Sequence, residues 1–153
     1  MNVHIEENQF YNGNEVIIRV KKYEKWLNPL VCYIEQFDRK LLAYQEDRDY
    51  YINLRDIWYI ESIDGKTLIN TEKDTFIYKS SLSSIEKELS GTSFCRIRKN
   101  ALVNIQYLKN VESYKNHRLL LTLTNGEKLL TSRAYLKVLK EKLIREGLWK
   151  IYM

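Results

Sequence analysis

The chain has 153 residues, 44% hydrophobic and 29% charged, which fits one soluble globular unit with a sizeable core and at most a small appended element. Its net charge of +5 is unevenly spread: residues 94–153 carry 13 Lys and Arg against 4 Asp and Glu, whereas residues 1–93 carry 12 against 16, so a polyanion is expected at one end only. Cys32 and Cys95 are too few and too far apart for a disulfide scaffold or zinc site, and no stretch reads as a signal peptide or membrane span, which points to a cytoplasmic protein without a metal or other cofactor.

In chain order, Val3–Glu6 and Val16–Val20 read as strands joined around Asn12-Gly13-Asn14. Asn28 then suits a helix N-cap with Pro29 at the first helical position, and Leu30, Ile34, Phe37 and Leu41 recur at helical spacing. Residues 21–27 form a separate turn of helix before it, since Pro29 interrupts a continuous one.

From residue 41 the period changes to two. Short strands are expected over Leu41–Gln45, Asp49–Leu54, Asp56–Ser62, Thr67–Thr71 and Thr75–Lys79, with Asp64-Gly65 as a tight turn. Ser81 caps a short helix carrying Leu82, Ile85 and Leu89. Phe94–Asn104 follows, a run in which Phe94, Ile97, Leu102 and Val103 must pack inward and so hold Arg96, Arg98 and Lys99 on a fixed backbone. Fixed guanidinium forks suit phosphates and guanine edges. Strands near Leu108–Lys115, Arg118–Thr124 and Glu127–Thr131 come next, with Asn125-Gly126 as the strongest hairpin signal. Ser132 then caps a last helix with Tyr135, Leu136, Leu139 and Leu143 on one face and Lys137, Lys140 and Lys142 elsewhere.

Five pieces in this order carry a family resemblance: Asp56-Ile-Trp-Tyr-Ile-Glu-Ser62, Asp64-Gly-Lys66, Lys79-Ser-Ser-Leu82, Phe94-Cys-Arg-Ile-Arg-Lys-Asn-Ala-Leu-Val-Asn104 and Thr131-Ser-Arg133. Through them residues from about 41 to 145 resemble the LytTR DNA-binding domain of bacterial transcription regulators. The resemblance implies a mainly β, elongated antiparallel fold of about ten short strands with short helices. It implies that loops, and not a recognition helix, enter successive major grooves of double-stranded DNA.

Three places meet DNA in that family. They correspond here to Lys66 with Thr67, to Arg96, Arg98, Lys99 and Asn100, and to Arg133; Lys137, on the helix that follows, completes the candidate set. Many relatives carry His where Arg98 stands, an uncharged residue near Lys99, and Ser or Thr in place of Asn100, so the target sequence need not match theirs.

Residue by residue the reading stays open. Arg98 is expected to grip a guanine or a phosphate pair; Arg96, two residues earlier and on the same strand face, either joins it on DNA or braces the loop through a carboxylate. Arg133, at the start of the last helix, opposes the helix dipole, which a phosphate would offset. Asp64-Gly65-Lys66-Thr67 lacks the earlier glycine and following helix of a nucleotide-binding loop. Cys95 is a small core residue, or a thiol activated by Arg96. His4 and His117 stand far from each other and from the thiols, and no catalytic constellation appears, so no enzyme is expected.

The expected organisation is a strand-strand-helix segment, residues 1–40, for packing, dimerisation or regulation, followed by the DNA-binding domain over residues 41–153. By analogy with the family, two copies would bind repeated half-sites as a homodimer, and a small membrane protein could dock on the N-terminal segment. The alternative is a β-rich protein-interaction module whose basic face meets an acidic partner.

Overall fold

Strand periodicity between residues 40 and 131 is realised almost element for element. In this computed structural model, which describes residues 1–147, ten strands among the described residues form two antiparallel sheets. The larger contains β1 (Lys40–Gln45), β2 (Arg48–Asn53), β3 (Ile57–Ile63), β4 (Lys66–Thr71), β5 (Thr75–Tyr78), β6 (Phe94–Arg98) and β7 (Ala101–Asn104), in the spatial order β2-β1-β5-β4-β3-β7-β6. The smaller is β10 (Lys128–Leu130), β9 (Arg118–Leu123) and β8 (Leu108–Tyr114). Helices α1 (Asn28–Glu35), α2 (Leu82–Glu88) and α3 (Leu136–Arg145) complete it. No helix among the described residues is long and apolar enough to cross a membrane.

Alternation gives the large sheet two apolar faces, each with its own cover. One face packs Leu41, Ile60, Ile69 and Leu102 against Leu82 and Ile85 of α2. The other packs Trp58, Cys95, Ile97 and Val103 against Leu119, Leu121 and Leu123 of β9 and against Leu139 and Leu143 of α3. The four inward residues expected in the central run are all buried. Ser81 caps α2 as expected, its Oγ accepting from the Ser84 N–H at 3.1 Å.

The N-terminal expectations need correction. Residues 1–24 form neither helix nor strand, and every side chain from residue 1 to 26 is exposed. Two short strands without a third, or a helix to cover them, bury too little to offset the entropy of ordering. The separate turn before Pro29 is present as a 3-10 turn, Lys25–Leu27. Leu27, not Asn28, is the cap of α1, and the helix ends at Glu35, so Leu41 falls in β1 instead.

What seats α1 is a buried polar chain that periodicity does not encode. Gln36 Nε2 donates to Ser93 Oγ at 2.9 Å and its Oε1 accepts from the Ser93 N–H at 3.2 Å. Ser93 Oγ donates to Asn104 Oδ1 at 2.7 Å, and Asn104 Nδ2 donates to the Ile57 carbonyl at 2.9 Å. Further along, Asn28 Nδ2 donates to the Arg145 carbonyl, and a Cβ at Gly147 would lie 2.9 Å from the Lys25 carbonyl oxygen. The start of α1 and the end of α3 therefore share one corner.

Candidate nucleic-acid interface

Three chain segments far apart in sequence meet at the end of the large sheet where β3 stops and β4 begins. The first is the β3–β4 turn: Asp64 and Gly65 both take positive φ, which a two-residue turn of twist-matching type requires, and Lys66 opens β4 exposed. The second is the β6–β7 turn, Lys99-Asn100, between the paired residues Arg98 and Ala101. The third is Thr131–Arg133, between β10 and α3.

Backbone hydrogen bonds stitch the three together through the middle one. The Ser62 N–H donates to the Asn100 carbonyl at 2.8 Å, and the Ser132 N–H donates to the Ile97 carbonyl at 2.9 Å. Asn100 Nδ2 adds a longer bond to the Ser62 carbonyl at 3.4 Å.

The two central arginines do not share a strand face, as simple alternation would have it. Arg96 pairs with Leu102 but Arg98 with Ala101, so a bulge at Ile97 removes one step of the alternation. Leu102 and Ala101 point to opposite sides of β7, and the arginines follow them. Arg96 turns to the α2 side. Its Nη1 binds Glu86 Oε1 at 3.2 Å, its Nε donates to the Arg98 carbonyl at 3.3 Å, and its Nη2 donates to the Lys99 carbonyl. Carboxylate bracing, one of the two readings of Arg96, is thus present.

Arg98 turns to the small sheet. Its Nε donates to Asn100 Oδ1 at 3.0 Å, its Nη1 donates to the Leu130 carbonyl at 3.2 Å, and its Nη2 lies 4.0 Å from Glu61 Oε2. Both guanidinium groups are engaged within the protein and clamp the turn between them. Lys66, Lys99, Arg133 and Lys137, by contrast, are exposed and their side chains have no partner among the described residues.

Two expectations are corrected. Thr67 is buried and donates its hydroxyl to the Ser80 carbonyl at 2.7 Å, because its strand position faces the sheet interior; it positions the hairpin and presents nothing outward. Ser132 makes no capping bond: α3 is preceded by a 3-10 turn, Arg133–Tyr135, and the Ser132 hydroxyl is a buried oxygen without a partner. Arg133 accordingly opens the 3-10 turn and not α3 itself.

Residues missed in the sequence also reach this end. The β8–β9 turn, with Asn116 and His117 at positive φ, carries Lys115, His117 and Arg118. The Thr131 N–H donates to the Leu119 carbonyl at 3.0 Å, which sets that turn beside Arg133. The only sequence signal was a basic cluster between two leucine-rich strands, which any exposed turn could show.

Cys95 is a core residue; burial, ahead of its charged neighbours, pushes its thiol up to about 11, so Arg96 does not activate it. Burial first and the Glu127 hydrogen bond second hold the Tyr59 phenol above its ordinary range, its hydroxyl donating to Glu127 Oε1 at 2.7 Å. No group of three or more His, Cys, Asp or Glu that could hold a metal occurs among the described residues.

Known proteins resemble this chain in sequence and fold. The family model of the LytTr DNA-binding domain matches residues 47–144. The sensory transduction protein LytT of Bacillus anthracis is 32% identical over 143 residues, 88% of this chain and 58% of that protein. The sensory transduction protein LytR of Staphylococcus saprophyticus is 35% identical over 95 residues, 62% of this chain and 37% of that one. The chain thus spans little more than half the length of such relatives, or less. A solved LytTr DNA-binding domain from Bacillus cereus aligns with a TM-score of 0.65 at 26% identity, covering 69% of this chain and 97% of the other. It shares the mainly antiparallel β fold that the resemblance implied. A family match over residues 47–144, joined by that structural likeness, makes this chain a member of the LytTR DNA-binding domain family.

Proposed function

We propose that the chain is a transcription regulator that binds a specific double-stranded DNA sequence by setting loop tips into successive major grooves. The observation that carries this reading is the cross-bracing of three remote turns into one surface that displays Lys66, Lys99 and Arg133 without internal partners. A fixed set of cations gives register on phosphates and reach to base edges. Asn100 lies among them, exposed, and Lys137 adds a phosphate contact from α3. Arg96 and Arg98 act first as the clamp that holds the central turn, and Arg98, still partly exposed, can reach a guanine only by giving up a bond to Leu130 or Asn100. The β8–β9 turn extends the basic surface beside Arg133.

A surface of this size suits two copies on repeated half-sites in the cytoplasm. Residues 1–40 serve packing, dimerisation or regulation, with a small membrane protein as one docking partner, and residues 41–153 bind DNA.

Selection of bound duplexes from a random library, followed by gel shift at fixed salt, tests the reading. Lys99→Ala or Arg133→Ala should weaken the selected duplex by about 1–3 kcal/mol if they touch bases, or reduce the salt slope by about 1 if they touch phosphates, with folding unchanged. Arg98→Ala should lower binding and thermal stability together, because it frees the Leu130 carbonyl and Glu61. No preference for any duplex over bulk competitor at low salt would overturn the reading and favour the protein-interaction alternative.

A further inference from the structure

Away from the loop tips, the large sheet ends in a solvent-open cleft of about 410 Å³. β3 starts here at Ile57, paired with Thr71 at the end of β4, so Lys66 at the other end of β4 is about 17 Å away. The volume lies within the range of ligand sites, roughly 300–1,000 Å³. Four stretches line it: β2, the 3-10 turn Leu54–Asp56 with the start of β3, the β4–β5 turn with Phe76, and Tyr107.

Aromatic rings form the interior. Trp58 stacks on Tyr107 with ring centroids 4.4 Å apart, and Tyr50 meets Phe76 at 5.2 Å. The Tyr107 hydroxyl donates to the Arg55 carbonyl, which fixes that ring. Carboxylates form the rim: Asp56 from the 3-10 turn, and Glu72 and Asp74 from the β4–β5 turn, against Lys73. All three carboxylates are exposed, and none is in an ion pair among the described residues. Burial first, then the charge of Asp56 and further down that of Glu72, holds the Tyr107 phenol above its ordinary range, so the field of the rim reaches the rings. Electron-rich ring faces beneath unpaired carboxylates attract a cation and repel the phosphates of DNA.

We propose that the cleft holds a basic peptide segment of a partner protein, an Arg or Lys side chain laid against the rings with its charge between Asp56 and the β4–β5 turn. A peptide fits better than a free cation because the cleft offers a second place. Tyr51, also lining it, is 73% exposed and gives an apolar shoulder to the residue beside the cation. A partner seated here stays clear of a duplex at the loop tips and needs no DNA to bind.

Titration of the full chain with an end-capped pentapeptide of alternating leucine and arginine, followed by calorimetry and by the indole N–H resonances, is the test. The Trp58 resonance should shift and saturate, and that of Trp26, outside the cleft, should stay. Glu72→Gln together with Asp74→Asn should weaken the peptide at least about tenfold. Glu112→Gln together with Glu141→Gln removes the same charge from β8 and α3 and should change affinity by less than about twofold. Tyr51→Ser should weaken the peptide and leave the binding of spermidine as it was. All five positions are exposed, and an unchanged melting temperature confirms that each variant folds.

No saturable shift at Trp58 overturns the proposal. So does an equal loss in the two charge variants, which would mark attraction by net charge alone, or a glutamine-for-arginine peptide that binds as well. Spermidine binding as tightly as the peptide would give the cleft to a free polyamine and overturn the peptide assignment. Duplex selection by the Glu72 and Asp74 variant should match that of the natural chain, so a failure of the DNA reading and a failure at the cleft are read separately.

Discussion

The dipeptide Asn-Gly occurs twice in this chain, each time between apolar runs, with opposite results. At Asn125-Gly126 it closes β9 onto β10: the Leu123 N–H donates to the Glu127 carbonyl at 2.8 Å, and Asn125 Oδ1 accepts from the Glu127 N–H at 3.0 Å. At Asn12-Gly13 it closes no hairpin, and neither Val3–Glu6 nor Val16–Val20 is a strand. The turn chemistry is the same. What differs is the surroundings: Leu119, Leu121, Leu123 and Leu129 are buried against α3 and the large sheet, whereas Ile5 and Ile17 are left exposed by the described residues. A hairpin signal states a local preference, and tertiary burial decides whether it is realised.

Removing the burial should break the comparison with the largest effect. Leu121 is fully buried in the core between the sheets, so Leu121→Ala should lower the unfolding free energy by about 2–5 kcal/mol in chemical denaturation. The turn itself matters less. Gly126 has φ +88, so Gly126→Ala should cost about 1–2 kcal/mol, while Gly13→Ala should change stability by less than about 0.5 kcal/mol, because the region it bends is unpaired. Equal losses at the two glycines would show that the first segment folds onto the body.

The smallest effect samples the folded region through its tyrosines. Burial first, then the bond to Glu88 Oε2 at 2.6 Å, pushes the Tyr78 phenol up to about 12 from an ordinary 10. A raised folded value favours the protonated, folded form. Its contribution is complete below pH 10 and is lost as pH rises from 10 through 12. Tyr78→Phe should flatten part of the alkaline fall in melting temperature over that window.

Much of the domain was legible in the sequence, because a period of two marks a strand wherever one face is buried. β1 to β5, the Asp64-Gly65 turn and the Ser81 cap all follow from that rule and from turn chemistry. The central run was legible too, since Phe94, Ile97, Leu102 and Val103 had to be inside. Its detail was not. A bulge adds a residue without changing composition, so nothing in Arg96-Ile97-Arg98 announced that the two arginines part to opposite faces. Thr67, beside a basic turn, looks available in the sequence, although its strand parity sends its side chain inward. Gln36, Ser93 and Asn104 are separated by 57 and 11 residues, and a buried amide reads as surface until its partners are known. Lys66 and Lys99 at the loop tips are exposed; which cations touch bases is a matter for the selected duplex.

The corner shared by Asn28, Arg145 and Gly147 also has a bearing on assembly. Arg133 stands just ahead of α3, and the helix, ten residues and about 15 Å long, carries the chain away from the loop tips before it reaches that corner. The N-terminal segment leaves from the same place, through Lys25. A partner held at that corner would leave the loop tips unobstructed.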